Sequence, residues 1–118
     1  MRELLLLRIA IVGSRNAQGI PVDFILPHIP PNASEIVSGG AEGIDSLAKE
    51  AAAKLGLKLT EFLPDYEAFG KRAPMLRNIE IVKFSDYLIA FWDHQSKGTA
   101  FTIEQCIKLG VPFKVVSI

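Results

Sequence analysis

The stretch Glu35-Ile36-Val37-Ser38-Gly39-Gly40-Ala41-Glu42-Gly43-Ile44-Asp45-Ser46-Leu47-Ala48 decides the fold. Its first residues form a brief apolar run that reads as a buried strand. The glycines make a sharp turn, and from Glu42 to Leu55 the apolar residues Ile44, Leu47, Ala48, Ala51 and Leu55 recur at helical spacing. A strand, a glycine turn and a helix in that order aim backbone N–H groups and a helix N-terminus at one edge of a parallel sheet. This is how a small α/β domain holds a phosphate or another anion. Gly39 and Gly40 bring backbone close to a ligand, and Gly43 allows helix and strand to pack tightly. The turn has no Walker lysine, and its spacing is Gly-Gly-x-x-Gly rather than Gly-x-Gly-x-x-Gly. A tight turn in an unliganded fold is the plain alternative.

The same layout recurs downstream. Tyr87 to Trp92 is a strong apolar strand, Asp93 to Gly98 a loop, and Thr99 to Leu109 a helix ended by Gly110. Lys97-Gly98-Thr99 opens that helix, with Thr99 available to cap it or meet a phosphate oxygen. Upstream, Leu4 to Val12 is apolar and reads as a strand from about Leu7, ending in Gly13-Ser14-Arg15. Prolines limit Ile20–Leu26 to a short helix. Lys58 to Leu63 alternates like a strand, and Asp65 to Ala73 reads as a polar and aromatic loop. Pro74 suits the first turn of a helix running to about Phe84, and Phe113 to Ile118 is a last strand. Strands and helices alternate with no hairpin signal. The expectation is an α/β, Rossmann-like, doubly wound domain over residues 1–118, with a five-stranded parallel sheet in the order 3-2-1-4-5. Strand order then reverses between the first and fourth strands, so the Arg15 and Lys97 loops flank one crevice.

Composition narrows the function classes. The chain has 118 residues, 49% apolar and 22% charged, with 13 basic and 13 acidic side chains and zero net charge. No global positive field gathers nucleic acid. Cys106 is alone, which excludes an intrachain disulfide and fits a reducing cytoplasm. Arg2 and the Leu4–Leu7 run hint at a signal peptide, but Arg8 interrupts the run and no cleavage site follows. No segment approaches the roughly 20 apolar residues of a membrane span. His28 and His94 lack a second ligand at metal-binding spacing, so no metal is expected. Cys106 reads as packing. Trp92 and Tyr66 carry rings able to stack on a base, with core or rim packing as the ordinary role.

These motifs together resemble the SLOG superfamily of Rossmann-like nucleotide-binding proteins, in particular the small bacterial branch related to YpsA and YspA. The matching text is Ile11-Val12-Gly13-Ser14-Arg15, the Ile36–Ala48 segment, Pro64-Asp65-Tyr66, Phe69-Gly70-Lys71, Arg77-Asn78, Asp86–Phe91 and Lys97-Gly98-Thr99-Ala100, in order along nearly the whole chain. The resemblance implies a nucleotide or nucleotide-derived small molecule as ligand. No cofactor beyond such a ligand is implied. Phosphate would meet the turns at Gly13, Ser14, Ser38, Gly39, Gly40, Ala41, Gly43, Gly98 and Thr99. Arg15, Arg77 and Lys97 would neutralise it, and Asn78 and Asp45 would bind ribose or orient neighbours. Gly40→Asp is then expected to set a carboxylate where the phosphate sits.

Among relatives, the lonely-guy phosphoribohydrolases follow a Pro-Gly-Gly-x-Gly-Thr loop with a catalytic glutamate. Here the loop lacks Pro-Gly-Gly, and Phe101 and Thr102 stand where acids would follow. Glycosidic cleavage needs a carboxylate for the developing oxocarbenium ion. A binding or sensing module is therefore favoured over an enzyme. Hydrolysis of a nucleotide derivative, with Glu104 or Asp45 as the carboxylate, is the alternative. The DNA-processing branch of the superfamily binds single-stranded DNA. Zero net charge and the lack of an aromatic-basic stripe make nucleic acid an unexpected partner here. Exposed apolar helix faces would suit a homo-oligomer.

Overall fold

The computed structural model describes residues 6–118. The Arg2 and Leu4 features noted above lie outside the described residues. Five strands form one sheet: β1 (Leu7–Gly13), β2 (Ala33–Ser38), β3 (Lys58–Glu61), β4 (Tyr87–Trp92) and β5 (Phe113–Ser117). Every pairing is parallel, and the order is β3-β2-β1-β4-β5. The expected Rossmann-like α/β architecture and strand order are therefore what the chain adopts.

The central strands are apolar at successive positions because both faces of the sheet are covered. Side chains alternate across a strand, so Ile9 and Ile11 of β1 point to one face while Ala10 and Val12 point to the other. The first face is packed by α1 (Val22–Ile25) and α2 (Ile44–Leu55), which bring Val22, Ile25, Ile44, Ala48 and Ala51 against Ile36, Ile89 and Phe91. The small alanines of α2 let that helix lie close to the sheet. The second face is packed by α4 (Ala73–Phe84) and α5 (Lys97–Leu109), which bring Ile81, Val82 and Cys106 against Val37, Leu88 and Ala90. The register sets Ile9 beside both Ile36 and Tyr87, so the carboxyl ends of β1, β2 and β4 finish near one level.

Some boundaries differ from the sequence reading. β2 begins at Ala33, two residues before Glu35, where Ala33 pairs with Leu7. The segment read as a loop holds α3 (Tyr66–Phe69), followed by a 3-10 turn at Gly70–Arg72. Asp65 starts α3 by accepting a hydrogen bond from the Ala68 N–H at 3.1 Å. One turn of helix is too short to show periodicity, so its cap is its only signal in the sequence. α5 starts two residues early, at Lys97, because Ser96 rather than Thr99 is its N-cap and accepts from the Thr99 N–H.

Candidate functional site

The loops after β1, β2 and β4 meet at the carboxyl edge of the sheet and enclose a cleft of about 440 Å³. Gly13, Ser14 and Arg15 line one side, Gly39, Ala41 and Asp45 a second, and Ser96, Gly98 and Thr99 a third. α4 closes it with Pro74, Arg77, Asn78 and Ile81. The crevice expected between the Arg15 loop and the last helix is present, and the glycine turn opens into it.

Short bonds hold these loops in fixed positions. The Ser14 hydroxyl is buried and accepts from the Asp93 N–H at 3.2 Å, which ties the β1 loop to the β4 loop. Asp93 accepts in turn from the N–H groups of Ser96 and Gln95 at 2.8 and 2.9 Å. Those bonds, from Ser96 first and Gln95 second, hold the Asp93 carboxyl below its usual range. The Ile44 N–H donates to the Ser14 carbonyl, and a Cβ on Gly43 would lie 2.3 Å from the Arg15 carbonyl oxygen. With φ at +71°, that position takes glycine for conformation and for space alike.

The two arginines of the cleft have different surroundings. Arg77 is buried, and its guanidinium spans two loops. Nη1 donates to the carbonyls of Gly39 at 2.7 Å and Phe62 at 3.2 Å, while Nε donates to Asn78 Oδ1 at 2.7 Å. Burial lowers the Arg77 pKa, and the nearby Asp45 charge opposes that shift. Asp45 accepts from the Ala41 N–H at 3.1 Å and closes the turn. Burial raises its pKa, against the Ala41 bond and the Arg77 charge. Gly39 sits between these groups. A Cβ there would lie 2.6 Å from Arg77 Nη1 and 3.0 Å from Asp45 Oδ2. Arg15, in contrast, is exposed at the rim, and its side chain makes no hydrogen bond or ion pair among the described residues.

Most of the residues singled out in the sequence meet at this cleft. Gly13, Ser14, Arg15, Gly39, Ala41, Asp45, Arg77, Asn78, Gly98 and Thr99 line it. Lys97 and Glu104 do not; both are exposed on α5, outside the cleft lining. The buried Thr102 faces the cleft in their stead. Two N–H groups of the glycine turn are already engaged, Gly40 with Ser38 Oγ and Ala41 with Asp45. A Cβ on Gly40 would face Leu63 and Glu61, at 2.7 and 3.2 Å, so Gly40→Asp sets its carboxylate beside Glu61 and strains the turn instead of filling the cleft. Asn78 orients Arg77. Asp93, Ser96 and Thr102 were missed, and only the Asp-x-x-Ser spacing ahead of a helix could have pointed to the first two. Among the described residues, no helix is long and apolar enough to cross a membrane.

Comparison with known proteins agrees with the fold and corrects one expectation. Residues 2–60 match the family described as DNA recombination-mediator protein A. The Gene 61 protein of Mycobacterium phage D29 is 36% identical over 91 residues, covering 72% of this chain and 73% of that protein. The solved structure of DNA processing protein A from Streptococcus pneumoniae superposes with a TM-score of 0.76 at 21% identity. That match covers 93% of this chain, which spans half the length of the pneumococcal chain. The matched family is one of DNA recombination mediators, so the expectation that set nucleic acid aside is overturned. Zero net charge does not exclude nucleic acid, because it sums over the whole surface, whereas a strand touches only a few groups.

Proposed function

The chain belongs to the DNA recombination-mediator protein A family, within the SLOG superfamily its motifs resemble, and from that premise we propose that its cleft binds single-stranded DNA through a backbone phosphate. The observation that carries this reading is Arg15. It stands exposed at the mouth of the cleft with no hydrogen bond or ion pair among the described residues. Its planar fork matches two phosphate oxygens. The start of α5, at Gly98 and Thr99, adds its dipole from the far wall. Arg77 contributes charge from the floor while holding the turn in shape.

The engagement of the acids supports binding rather than catalysis. Glu104 is away from the cleft, Asp45 is committed to closing the Ala41 turn, and Asp93 accepts from the Ser96 and Gln95 N–H groups. The size of the cleft favours a second reading of the same chemistry. About 440 Å³ falls within the range of small-ligand pockets, so a mononucleotide derivative would also fit.

Fluorescence anisotropy with a labelled oligothymidylate over a salt series tests the proposal. Arg15→Ala is expected to weaken binding about tenfold and to flatten the salt dependence by about 0.7 in the log–log slope, the loss of one phosphate contact to a single strand. Its melting temperature stays at the wild-type value, because the side chain is exposed. Unchanged affinity and slope in Arg15→Ala would refute the reading. Binding of a nucleoside monophosphate with none of the oligonucleotide would favour the second reading instead.

A further inference from the structure

The geometry points to a nucleobase-stacking subsite beside the phosphate cleft, with the ring of Tyr66 as its platform. The inference rests on the DNA reading above and adds where a base goes.

A second concavity of about 330 Å³ adjoins the first and shares Arg15, Gly39, Ala41 and Arg77 with it. Its outer wall is different in character, being built from Leu63, Pro64 and Tyr66. Leu63 is 68% exposed and Tyr66 57% exposed, so two large apolar side chains face water next to a charged rim. Folding gains nothing from that exposure.

The wall is also rigid. Arg77 grips the Phe62 carbonyl, one residue before Leu63. Pro64 restricts the chain, and Asp65 caps the turn of helix that begins with Tyr66. The backbone that carries the ring is thus anchored next to the cleft by the strut that shapes it.

Phe69 is exposed as Tyr66 is, but it does not line this concavity, and several other rings have contacts elsewhere. Trp92 donates its Nε1–H to the Ser96 carbonyl and its ring lies against His94. Phe62 packs on Phe84, and Phe24 on Phe91. Tyr66 enters none of the ring pairs among the described residues. A phosphate at Arg15 leaves the attached base to turn either into solvent or into this concavity. There the Tyr66 face and the Leu63 side chain cover its π-surface, and Arg15 can lie over the base from the shared rim. Stacking of this kind accepts any base, so little sequence preference is expected.

The test compares an oligothymidylate with a strand of equal length made of abasic sugar-phosphate units. Both are titrated with the full chain and with Tyr66→Ala and Tyr66→Phe. Tyr66→Ala is expected to bind the oligothymidylate about tenfold more weakly and the abasic strand as tightly as wild type. Tyr66→Phe keeps the ring and binds both as wild type does. Equal affinity of Tyr66→Ala and wild type for oligothymidylate overturns the proposal. So does an equal loss on both strands, which would make Tyr66 a support for the phosphate cleft. A wild-type protein that binds the abasic strand as tightly as oligothymidylate overturns the subsite but leaves the phosphate reading standing. One that binds neither strand takes the subsite down with the reading beneath it. A change in sedimentation of Tyr66→Ala from dimer to monomer assigns the patch to a second copy of the chain and also refutes the subsite.

Discussion

Replacing Arg77 by methionine separates its structural role from a direct ligand role. Arg77 is 9% exposed, and its guanidinium makes three hydrogen bonds, to Gly39 O, Phe62 O and Asn78 Oδ1. Hydrogen bonds to a charged group are each worth about 1.5–3 kcal/mol net. Asn78 is half-buried and can turn to water, but the Gly39 carbonyl sits on a buried residue and loses its donor. Methionine restores part of the packing. The expected net loss is about 3 kcal/mol. For 118 residues the unfolding entropy is about 0.25 kcal/mol per degree, so the melting temperature falls by about 12 °C. Gly39→Ala attacks the same contact from the other side, since its Cβ would stand 2.6 Å from Nη1. Overpacking there costs about 1–3 kcal/mol alone. The two losses should not add, because in Arg77→Met the new methyl meets no guanidinium. Thermal and urea melts of both single variants and the double variant measure this. A melting temperature for Arg77→Met within about 2 °C of wild type refutes the strut, and so does strict additivity of the two changes.

Two other predictions concern groups outside the arginine pair. Asp93 has a folded pKa below its usual range because the N–H groups of Ser96 and Gln95 bond its carboxylate. An acid with a lowered folded pKa stabilises the fold above its unfolded value, and that contribution disappears as pH falls through the folded value. Asp93→Asn should therefore flatten the acid limb of the stability curve, and parallel acid limbs in the two proteins would show the bonds to be energetically idle. Cys106 is 1% exposed, and burial pushes its thiol up to about 11. Labelling by a disulfide reagent at neutral pH should be slow in the native protein and prompt in urea, whereas prompt native labelling would contradict its place in the core.

The fold was legible because its signals were local and agreed with one another. Apolar runs such as Tyr87–Trp92 appear where a strand is covered on both faces, and the alanine-rich periodicity of Ile44–Leu55 marks a helix lying close to a sheet. Once the strand order was fixed, the loops of Ser14, Gly39 and Gly98 had to share an edge. The candidate site was less legible, because side-chain fate depends on neighbours far along the chain. Arg15, Arg77 and Lys97 look alike in sequence, yet one is an exposed fork at the rim, one a buried strut 38 residues from the Gly39 carbonyl it holds, and one lies outside the cleft. Glu104 lies outside the cleft for a related reason. The rotation of α5 presents Thr99 and Thr102 to the cleft, and Glu104 lies on the helix's exposed side.

The error about nucleic acid has a physical lesson for how such a chain would hold DNA. A neutral protein has no long-range field to concentrate a strand at its surface, so most of the ordinary electrostatic gain is absent. The cleft itself carries Arg15 and Arg77 against Asp45 and Asp93, which balance. Affinity would then come from one well-placed phosphate contact and from burying base surface, rather than from many lysines along a groove. That combination makes a clear quantitative demand. The salt slope must be shallow, near −0.7 for a single neutralised phosphate, while loss of the base must weaken binding by about tenfold. A basic groove elsewhere on the surface would give the reverse pattern, with a steep slope and little effect from removing bases. Measuring both quantities on one titration set therefore decides where on the molecule the strand lies.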